Sequence, residues 1–385
     1  MDHTVIVDGV RSPFGKRGGT LSALHPAQLL SQVQKGLLER LELDPASVEE
    51  LIGGCVTQAG EQSNNITRTA WLHAGLPYQV PGTTVDCACG SSLQSTHLIA
   101  GLISSGAISA GMASGVESMS RISLGSAGGN LGSPYPDDWA IDLPDQFTAA
   151  ERIAKLRGLS RQDLDMFGVK SQQRAAEAWD AGAFDKTVLP IQAPQLEENG
   201  TIGEAIQVKR DQGLRESTSE SLAKLNPIAE GGLHTAATSS QISDGASAVV
   251  LMSESRAKEL GLKPRARIIG TAMAGSDPYY HLDGPIDATK LVLRKTGRSI
   301  KDIDYVEINE AFASIVLSWQ QETGFDMDRV NVFGGAIALG HPVGASGIRL
   351  LLQAIDVLEQ RDAQTALVTM CAGGALAPAT IIERM

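Results

Sequence analysis

The chain has 385 residues, 42% of them hydrophobic and 20% charged, and this composition is typical of a globular protein with two or three domains. Its formal net charge of −12 argues against nucleic acid as a partner, because phosphate backbones are bound by basic surfaces. Four cysteines make no disulfide framework, and the chain shows neither a secretory signal nor an apolar run of membrane-spanning length, so we expect a cytoplasmic protein with no membrane partner.

The first half of the chain alternates strand-like and helix-like segments. Residues 4–8 read as a strand, and leucine and valine then recur at helical spacing over residues 26–43. A capped turn at Asp44 and Pro45 follows. Beyond it we predict a strand at 51–56, a strand at 82–85, a buried helix at 91–104 and a strand at 110–115.

The second half repeats this plan. We predict a strand at 266–269, a helix at 286–296, a capped turn and strand over 299–309, a helix at 345–358 and a strand at 366–370. Two similar series of strands and helices indicate a duplicated α/β fold.

A stretch of different character, residues 117–241, separates the two halves. It is rich in glycine, proline, aspartate and serine, and we predict one polar helix within it, at 161–181. Such an insertion is typical of a lid or loop domain over a ligand. It also contains a locally basic run, for which the charge pattern alone favours a solvated face: Lys209, Arg210, Arg215 and Lys224.

Cys89 lies where a predicted strand ends and a helix of small residues begins. A free thiol has a pKa near ~8.5, and a helix N-terminus or a nearby imidazole lowers it. This setting suits a nucleophile, although a buried structural cysteine would fit the segment equally well. The Cys87/Cys89 pair lacks the CxxC spacing of zinc sites, and no second cluster completes one, so we expect no metal.

Cys371 follows the matching strand of the second half and precedes Gly373 and Gly374. Glycines at this point can present backbone N–H groups to an oxyanion, although a strand end with a glycine turn is the plain alternative. The equivalent positions of Cys89 and Cys371 in the two halves indicate that the two thiols meet at one site. One thiol would then act as the nucleophile and the other as a proton shuttle.

His341 and Asn309 are the remaining candidates for chemistry. His341 lies in a glycine turn before a helix, whereas the other six histidines have no comparably constrained setting. Asn309 ends a strand, where it could orient a water or donate to an oxyanion; a turn-capping asparagine is the alternative. The chain has neither a Walker loop nor a GxSxG elbow, and its glycine run near Gly334 lacks dinucleotide-site spacing.

Together these strings resemble the thiolase family over essentially the whole chain. The segments that carry the resemblance are Val85–Gln94, Asn309–Ala313, Gly334–Gly347 and Cys371–Gly374. Other strings are similar to the branch of the family that degrades steroid side chains: Gly60–Ile66, Asp211–Glu216 and Tyr279–Pro285.

The resemblance implies a thiolase fold of the α/β class. Two duplicated βαβαβαββ halves would stack in a layered α-β-α-β-α arrangement, with an inserted loop domain that binds coenzyme A and the acyl group. The implied boundaries are residues 1–116 with 242–254 for the first half, 117–241 for the loop domain and 255–385 for the second half. A homodimer or homotetramer is also implied.

The resemblance further implies a role for each site residue. Cys89 would be the nucleophile that becomes acylated, His341 would activate it and help bind the thioester oxygen, and Cys371 would be the general acid and base. Asn309 would hold a water in one oxyanion hole, and the N–H groups of Cys89 and Gly373 would form the second. The coenzyme A contacts would be Arg215, Ser221 and Ser240, which makes the basic run partly ligand-facing.

The implied reaction is thiolytic cleavage of a 3-oxoacyl-CoA by coenzyme A, in the β-oxidation of a fatty acid or a steroid side chain. Coenzyme A and acyl-CoA are substrates, and no tightly bound cofactor is implied. The chain departs from the usual family strings at 145–150, 237–240 and Ala375, and we expect these positions to line the acyl or pantetheine tunnel. This favours a bulky polycyclic acyl group.

Three alternatives stay open on the sequence. One is a biosynthetic acetoacetyl-CoA thiolase that condenses two acetyl-CoA molecules. Another is a ketoacyl synthase relative, which normally has one cysteine and two histidines at its site. The third is a non-catalytic lipid or acyl-CoA carrier with the same fold, which would have no need of both cysteines.

Overall fold

The computed structural model describes residues 2–128, 132–197 and 201–385. Its strands are β1 (Thr4–Arg11), β2 (Gly15–Lys16), β3 (Glu50–Gly54), β4 (Gly82–Val85), β5 (Ala110–Ser118), β6 (Ile191–Leu196), β7 (Ile202–Val208), β8 (Ser243–Ser253), β9 (Ala266–Gly275), β10 (Tyr305–Ile308), β11 (Thr365–Thr369) and β12 (Leu376–Arg384). Its helices are α1 (Pro26–Arg40), α2 (Ile66–His73), α3 (Ser91–Ser104), α4 (Gln146–Leu156), α5 (Arg161–Asp180), α6 (Ser219–Leu222), α7 (Glu254–Glu259), α8 (Pro285–Thr296), α9 (Ala313–Thr323), α10 (Ala336–Leu339) and α11 (Ser346–Gln360).

The strand pairing repeats between the two halves of the chain. The main sheet runs β10-β11-β12-β9-β1-β8-β5-β3-β4, with β2 paired to β8 beside it. In the first half β3 is parallel to β4 and β5, and β8 is antiparallel to β5 and β1. In the second half β10 is parallel to β11, and β12 is antiparallel to β11 and β9. A parallel bridge between Val306 and Val330 stands in the position of β4.

The halves join edge to edge, where Val5 and Ile6 of β1 pair with Arg267 and Ala266 of β9. The predicted duplication is therefore confirmed as two copies of one strand order.

Alternate residues of the strands face different helical layers, as the period of two in a strand requires. Val5 and Val7 pack in the cluster that contains α1 and α2, whereas Ile6 between them packs with α3 and α11. In the second half, Leu367 packs with α8 and α9, and its neighbour Ala366 faces α11. The order of layers is thus α1 and α2, the first-half strands, α3 and α11, the second-half strands, and α8 and α9. This is the predicted layered α/β fold.

The predicted elements are present, with shifts at a few ends: the helix predicted over 26–43 ends at Arg40, and the strand predicted at 266–269 continues to Gly275. The helix predicted at 161–181 is α5, but the insertion also contains α4, α6 and a hairpin of β6 and β7. Outside the insertion, the sequence analysis missed β2, α2, β8, α7, α9, α10 and β12. The hairpin gave little signal because β7 is almost entirely exposed and so lacks an apolar face.

The parallel strands bring their carboxyl ends together at one edge of the sheet. β10 and β11 end side by side, with Ile308 opposite Thr369, and the Asn309 N–H donates to the Thr369 carbonyl at 3.1 Å. Asn309 and Cys371 are therefore neighbours by register alone. No helix in the described part of the chain is both long and apolar enough to cross a membrane.

Candidate active site

Cys89 occupies a tight turn between β4 and α3. Ala88 has a φ of +46°, a left-handed conformation that is uncommon for a residue with a Cβ atom. The Ser91 hydroxyl holds this turn: it donates to the Ala88 carbonyl at 2.6 Å and accepts from the Cys87 N–H at 2.8 Å. The turn thus places the Cys89 thiol at the N-terminal end of α3, where the helix dipole favours negative charge.

The Cys371 turn lies directly against Cys89. The backbone N–H groups of Gly373 and of Cys89 itself act to lower the pKa of the Cys89 thiol, although burial outweighs them. Burial raises the pKa of Cys371, and the charge of a Cys89 thiolate would raise it further; both thiols line the same cavity. A Cβ atom on Gly373 would lie 3.2 Å from the Ala88 Cβ, so only glycine fits here without displacing the Cys89 turn.

His341 is held as a neutral ring with an unprotonated Nε2. Its Nδ1 lies 2.6 Å from the Ser346 hydroxyl, which donates its own proton to the Pro342 carbonyl at 2.9 Å. Nδ1 must therefore donate, and Nε2 is left as an acceptor, 3.3 Å from the Asn309 Nδ2. Burial lowers the pKa of His341 to about 3, so the resting ring carries no second proton and Nε2 stays free to accept a hydrogen bond.

A buried ion pair fixes the orientation of the Asn309 amide. The Arg349 Nη2 donates to the Asn309 Oδ1 at 3.3 Å, which turns the amide nitrogen towards His341. The Arg349 guanidinium lies 3.6 Å from the Glu307 carboxylate, and both side chains are buried. Sequence analysis missed Arg349; the signal was a cationic residue within the apolar run of residues 348–352 in the first half of α11.

We expect Arg349→Met to lower the free energy of unfolding by about 3 kcal/mol, because it leaves the Glu307 carboxyl buried without its partner. Urea unfolding at neutral pH would measure this. The double variant Glu307→Gln/Arg349→Met should recover most of the loss, since it removes both charges. Equal instability of the single and double variants would contradict the assigned pairing.

The candidate side chains converge on a cavity of about 560 Å³. Cys89, His341, Cys371, Gly373 and Ser240 line it, as predicted, while Asn309 lies behind His341. Apolar residues form much of the remaining wall: Val56, Met119, Leu124, Phe147, Ile242, Leu282, Ala311, Phe312 and Val343. An apolar cavity with a few convergent polar groups is typical of a small-molecule site.

Two of the segments in which the chain departs from the usual family strings reach this cavity. Gln146 and Phe147 of α4 line one side, and Ser239 and Ser240 line another. These four residues thus face the cavity, and their contact with an acyl or pantetheine group stays a prediction.

The other two predicted coenzyme A contacts lie outside this cavity. Arg215 lines a second, neighbouring cavity together with Arg210. Its Nη2 donates to the Gln241 Oε1 at 3.1 Å, and Gln241 lines the first cavity, so the two cavities share a wall. Ser221 lies at the start of α6, where its hydroxyl donates to the Thr218 carbonyl at 2.9 Å.

His281 is a cavity residue that sequence analysis treated as having no constrained setting, and this was wrong. Its Nε2 accepts from the Gly374 N–H at 2.9 Å, and its Nδ1 lies 2.7 Å from the Pro144 carbonyl. The string Tyr279–Pro285 had been related to one branch of a family, but nothing in its local pattern places it beside the glycine turn.

Burial of the sulfur raises the pKa of Cys89 to about 12, although part of the side chain faces the cavity. We therefore expect the rate of Cys89 alkylation by iodoacetamide to rise about tenfold per pH unit between about pH 6 and 9, because the thiolate fraction grows tenfold per unit below the pKa. Cys87 and Cys89 fall in one proteolytic peptide, so fragmentation of that peptide by tandem mass spectrometry is used to distinguish them. A rate that is flat with pH would instead indicate a preformed thiolate–imidazolium pair.

All four cysteines are free. Among residues 2–128, 132–197 and 201–385, no three His, Cys, Asp or Glu side chains cluster as a metal site would require.

Comparison with known proteins identifies relatives along the whole chain. The family model for the thiolase N-terminal domain matches residues 4–255, and the model for the thiolase C-terminal domain matches residues 262–384. A steroid 3-ketoacyl-CoA thiolase of Mycobacterium tuberculosis is 44% identical over 396 residues, covering 100% of this chain and 95% of the relative. An acetyl-CoA acetyltransferase of Allochromatium vinosum is 41% identical over 397 residues, covering 100% of both. The crystal structure of the Bacillus anthracis acetyl-CoA acetyltransferase superposes with a TM-score of 0.91 at 32% identity, covering 100% of this chain and 99% of that one.

Proposed function

This chain belongs to the thiolase family, and from that premise we propose that it cleaves a 3-oxoacyl-CoA with coenzyme A to give acetyl-CoA and a shortened acyl-CoA. It is an acyl-CoA acyltransferase. The observation that carries the proposed chemistry is the convergence of Cys89, Cys371, His341 and the Gly373 N–H on one cavity.

In the first half-reaction, the His341 Nε2 takes the Cys89 proton and the sulfur attacks the 3-keto carbon. The C2–C3 bond then breaks, and the Cys371 thiol protonates C2 of the departing acetyl-CoA enolate. The neutral His341 ring supports the role of base, since its Nε2 accepts hydrogen bonds. The thioester oxygen would lie at His341 and a water held by Asn309. The N–H groups of Cys89 and Gly373 would receive the oxyanion formed at C3.

In the second half-reaction, the Cys371 thiolate takes the proton of free coenzyme A, whose sulfur attacks the acyl group on Cys89. The tetrahedral intermediate collapses and releases the shortened acyl-CoA. The Cys89 sulfur recovers its proton from His341, and Cys371 is already protonated for the next cycle. Proximity of the two sulfurs supports this division of labour between nucleophile and proton shuttle.

For the acyl group we propose a bulky, polycyclic one. The relative of 44% identity is named a steroid 3-ketoacyl-CoA thiolase, and the apolar cavity wall suits a large apolar acyl chain. The alternative substrate is acetoacetyl-CoA. It is considered because the relative of 41% identity is named an acetyl-CoA acetyltransferase. The test is kcat/KM for a steroid 3-oxoacyl-CoA, a straight-chain 3-oxoacyl-CoA and acetoacetyl-CoA. A strong preference for acetoacetyl-CoA would rule out the polycyclic substrate.

We propose that Arg215, Ser221 and Ser240 contact coenzyme A. Arg215 lines the second cavity and is linked to the first through Gln241, which supports a ligand that extends between the two. We expect Arg215→Met to raise the KM for coenzyme A about tenfold with little change in kcat, because it removes a charge-assisted contact with a phosphate. Lys224→Met, an exposed change on the same segment, serves as the control. An unchanged KM for coenzyme A would contradict this contact.

We also propose the domain division 1–116 with 242–254, 117–241 and 255–385. The pairing of β8 with both β1 and β5, across the insertion, supports it.

We propose a homodimer or homotetramer. The position of β4 at the outer edge of the sheet supports this proposal, and sedimentation velocity would test it. A cytoplasmic location is proposed on the four free cysteines.

A further inference from the structure

His281 connects two walls of the cavity through its two ring nitrogens. It lies in the connection between β9 and α8. The Pro144 carbonyl, 2.7 Å from Nδ1, can only accept, so Nδ1 carries the proton. Nε2 is then a bare acceptor, and it receives the Gly374 N–H at 2.9 Å. Both partners are backbone groups, so the ring fixes the position of the main chain on each side.

The first wall is the glycine turn that follows Cys371. Gly374 and Ala375 have φ values of +79° and +56°, so this turn is held in the left-handed region over two consecutive residues. The peptide unit whose N–H binds His281 also contains the Gly373 carbonyl carbon. Fixing this unit restricts the orientation of Gly373, which lies against Ala88 of the Cys89 turn and whose own N–H acts to lower the pKa of Cys89.

The second wall is the N-terminal end of α4. Pro144 immediately precedes Asp145, whose carboxylate caps α4 by accepting the Phe147 N–H at 2.8 Å. Gln146 and Phe147 line the cavity from this end. A movement of α4 is thus transmitted through the His281 ring to the peptide unit between Gly373 and Gly374.

The backbone of His281 is itself strained, with a φ of +51°. The side chain is buried, and the N–H closes a turn to the Asp277 carbonyl at 3.0 Å. A non-glycine residue in the left-handed region costs free energy, and such residues concentrate where a particular side-chain direction is needed. In this backbone conformation the His281 side chain points so that Nδ1 reaches the Pro144 carbonyl and Nε2 reaches the Gly374 N–H.

We propose that His281 is a positioning residue with two roles. It orients the Gly373 N–H towards the oxyanion that forms at Cys89, and it links the position of this N–H to the position of α4, which would pack against the acyl group. The inference rests on the proposed function, because it needs an acyl group on Cys89. His281 itself touches no reacting atom. Its effect is on the geometry of an oxyanion donor, and therefore on acyl transfer and not on the reactivity of the thiol.

The test compares two reactions of the same thiol. Acylation of Cys89 by a 3-oxoacyl-CoA, followed by rapid-quench mass spectrometry, needs the oxyanion donor, whereas alkylation by iodoacetamide does not. For His281→Phe, which keeps a ring without either nitrogen, we expect acylation to slow about 10- to 100-fold, less than the roughly 10²- to 10³-fold loss when an oxyanion donor is removed, because here the donor is only displaced. Alkylation should stay within about twofold of the unsubstituted enzyme.

His281→Gln is the matched variant, because its amide can accept with Oε1 and donate with Nε2, and it should recover most of the acylation rate. Acylation of His281→Phe at the parental rate overturns the proposal, and so does an equal fall in acylation and alkylation. If His281→Phe does not fold, His281→Leu, which also lacks both ring nitrogens, gives the same comparison. Absence of acyl-Cys89 in the unsubstituted enzyme would instead reject the proposed function.

Discussion

Cys89→Ala will lower turnover by at least about 10⁴-fold, the order of loss seen when other covalent enzymes lose their attacking side chain. It will also abolish the acyl-enzyme. The reason is that the variant lacks the sulfur that would carry the acyl group, and Cys371, the other thiol that lines the cavity, is fully buried. Steady-state kinetics and intact-protein mass spectrometry after addition of a 3-oxoacyl-CoA measure the two effects.

Cys87→Ala is the matched control for this change. Cys87 is two residues away, is also free and is also only partly exposed, but it does not line the cavity. It should therefore keep most of the activity. An acylated Cys89→Ala protein, or one that turns over at a tenth of the parental rate, would remove Cys89 from the role of nucleophile. Retention of coenzyme A binding without turnover is the expected companion result.

Cys371→Ala will separate the two halves of the catalytic cycle. Cleavage of a 3-oxoacyl-CoA expels a carbanion that needs a proton donor, so turnover should fall by about 10²- to 10⁴-fold, the usual contribution of a general acid. Acylation of Cys89 by a simple acyl-CoA expels a thiolate and should continue at a substantial rate. The variant should therefore accumulate acyl-Cys89 from acyl-CoA while its cleavage activity is lost.

The comparison of these two substrates is what makes the Cys371→Ala experiment informative. A misfolded site would lose both reactions together, whereas loss of the proton shuttle alone affects C–C cleavage. Equal loss with both substrates would show that Cys371 is needed for the shape of the turn at Gly373 instead of for proton transfer. Cleavage at the parental rate would remove the thiol from the reaction altogether.

Local sequence signals were sufficient for the elements that carry the two cysteines. The helix predicted at 91–104 is α3, and the strand predicted at 366–370 is β11 within one residue. Cys371 follows the fully buried strand β11, whereas Cys89 follows the short, partly exposed edge strand β4. The prediction that the two cysteines follow matching strands was wrong, because β11 pairs with β10 and β12 as β5 pairs with β3 and β8, and the counterpart of β4 is the bridge at Val330. Both turns nevertheless line the same cavity.

The residues that sequence analysis missed act through tertiary contacts with the main chain. The role of His281 follows from its hydrogen bonds to the Pro144 carbonyl and the Gly374 N–H. Backbone carbonyl and amide groups are common to almost all residue types, so such contacts cannot be predicted from a sequence pattern. Arg349 contacts Asn309, which is 40 residues away in the chain. The contact is possible because α11 packs along β10, and no local periodicity contains that information.

The way the chain enters and leaves the insertion has a consequence for how enzymes of this architecture can diversify. β5 leads into the insertion and β8 returns from it as paired antiparallel neighbours, with Ser118 opposite Asp244. The points where the chain enters and leaves the insertion therefore lie next to each other on paired strands of the sheet. Exchange of residues 119–243 between paralogues would replace the cavity-lining side chains of the insertion while the Cys89 and Cys371 turns stay unchanged. Specificity could then evolve by module exchange while the chemistry is inherited intact.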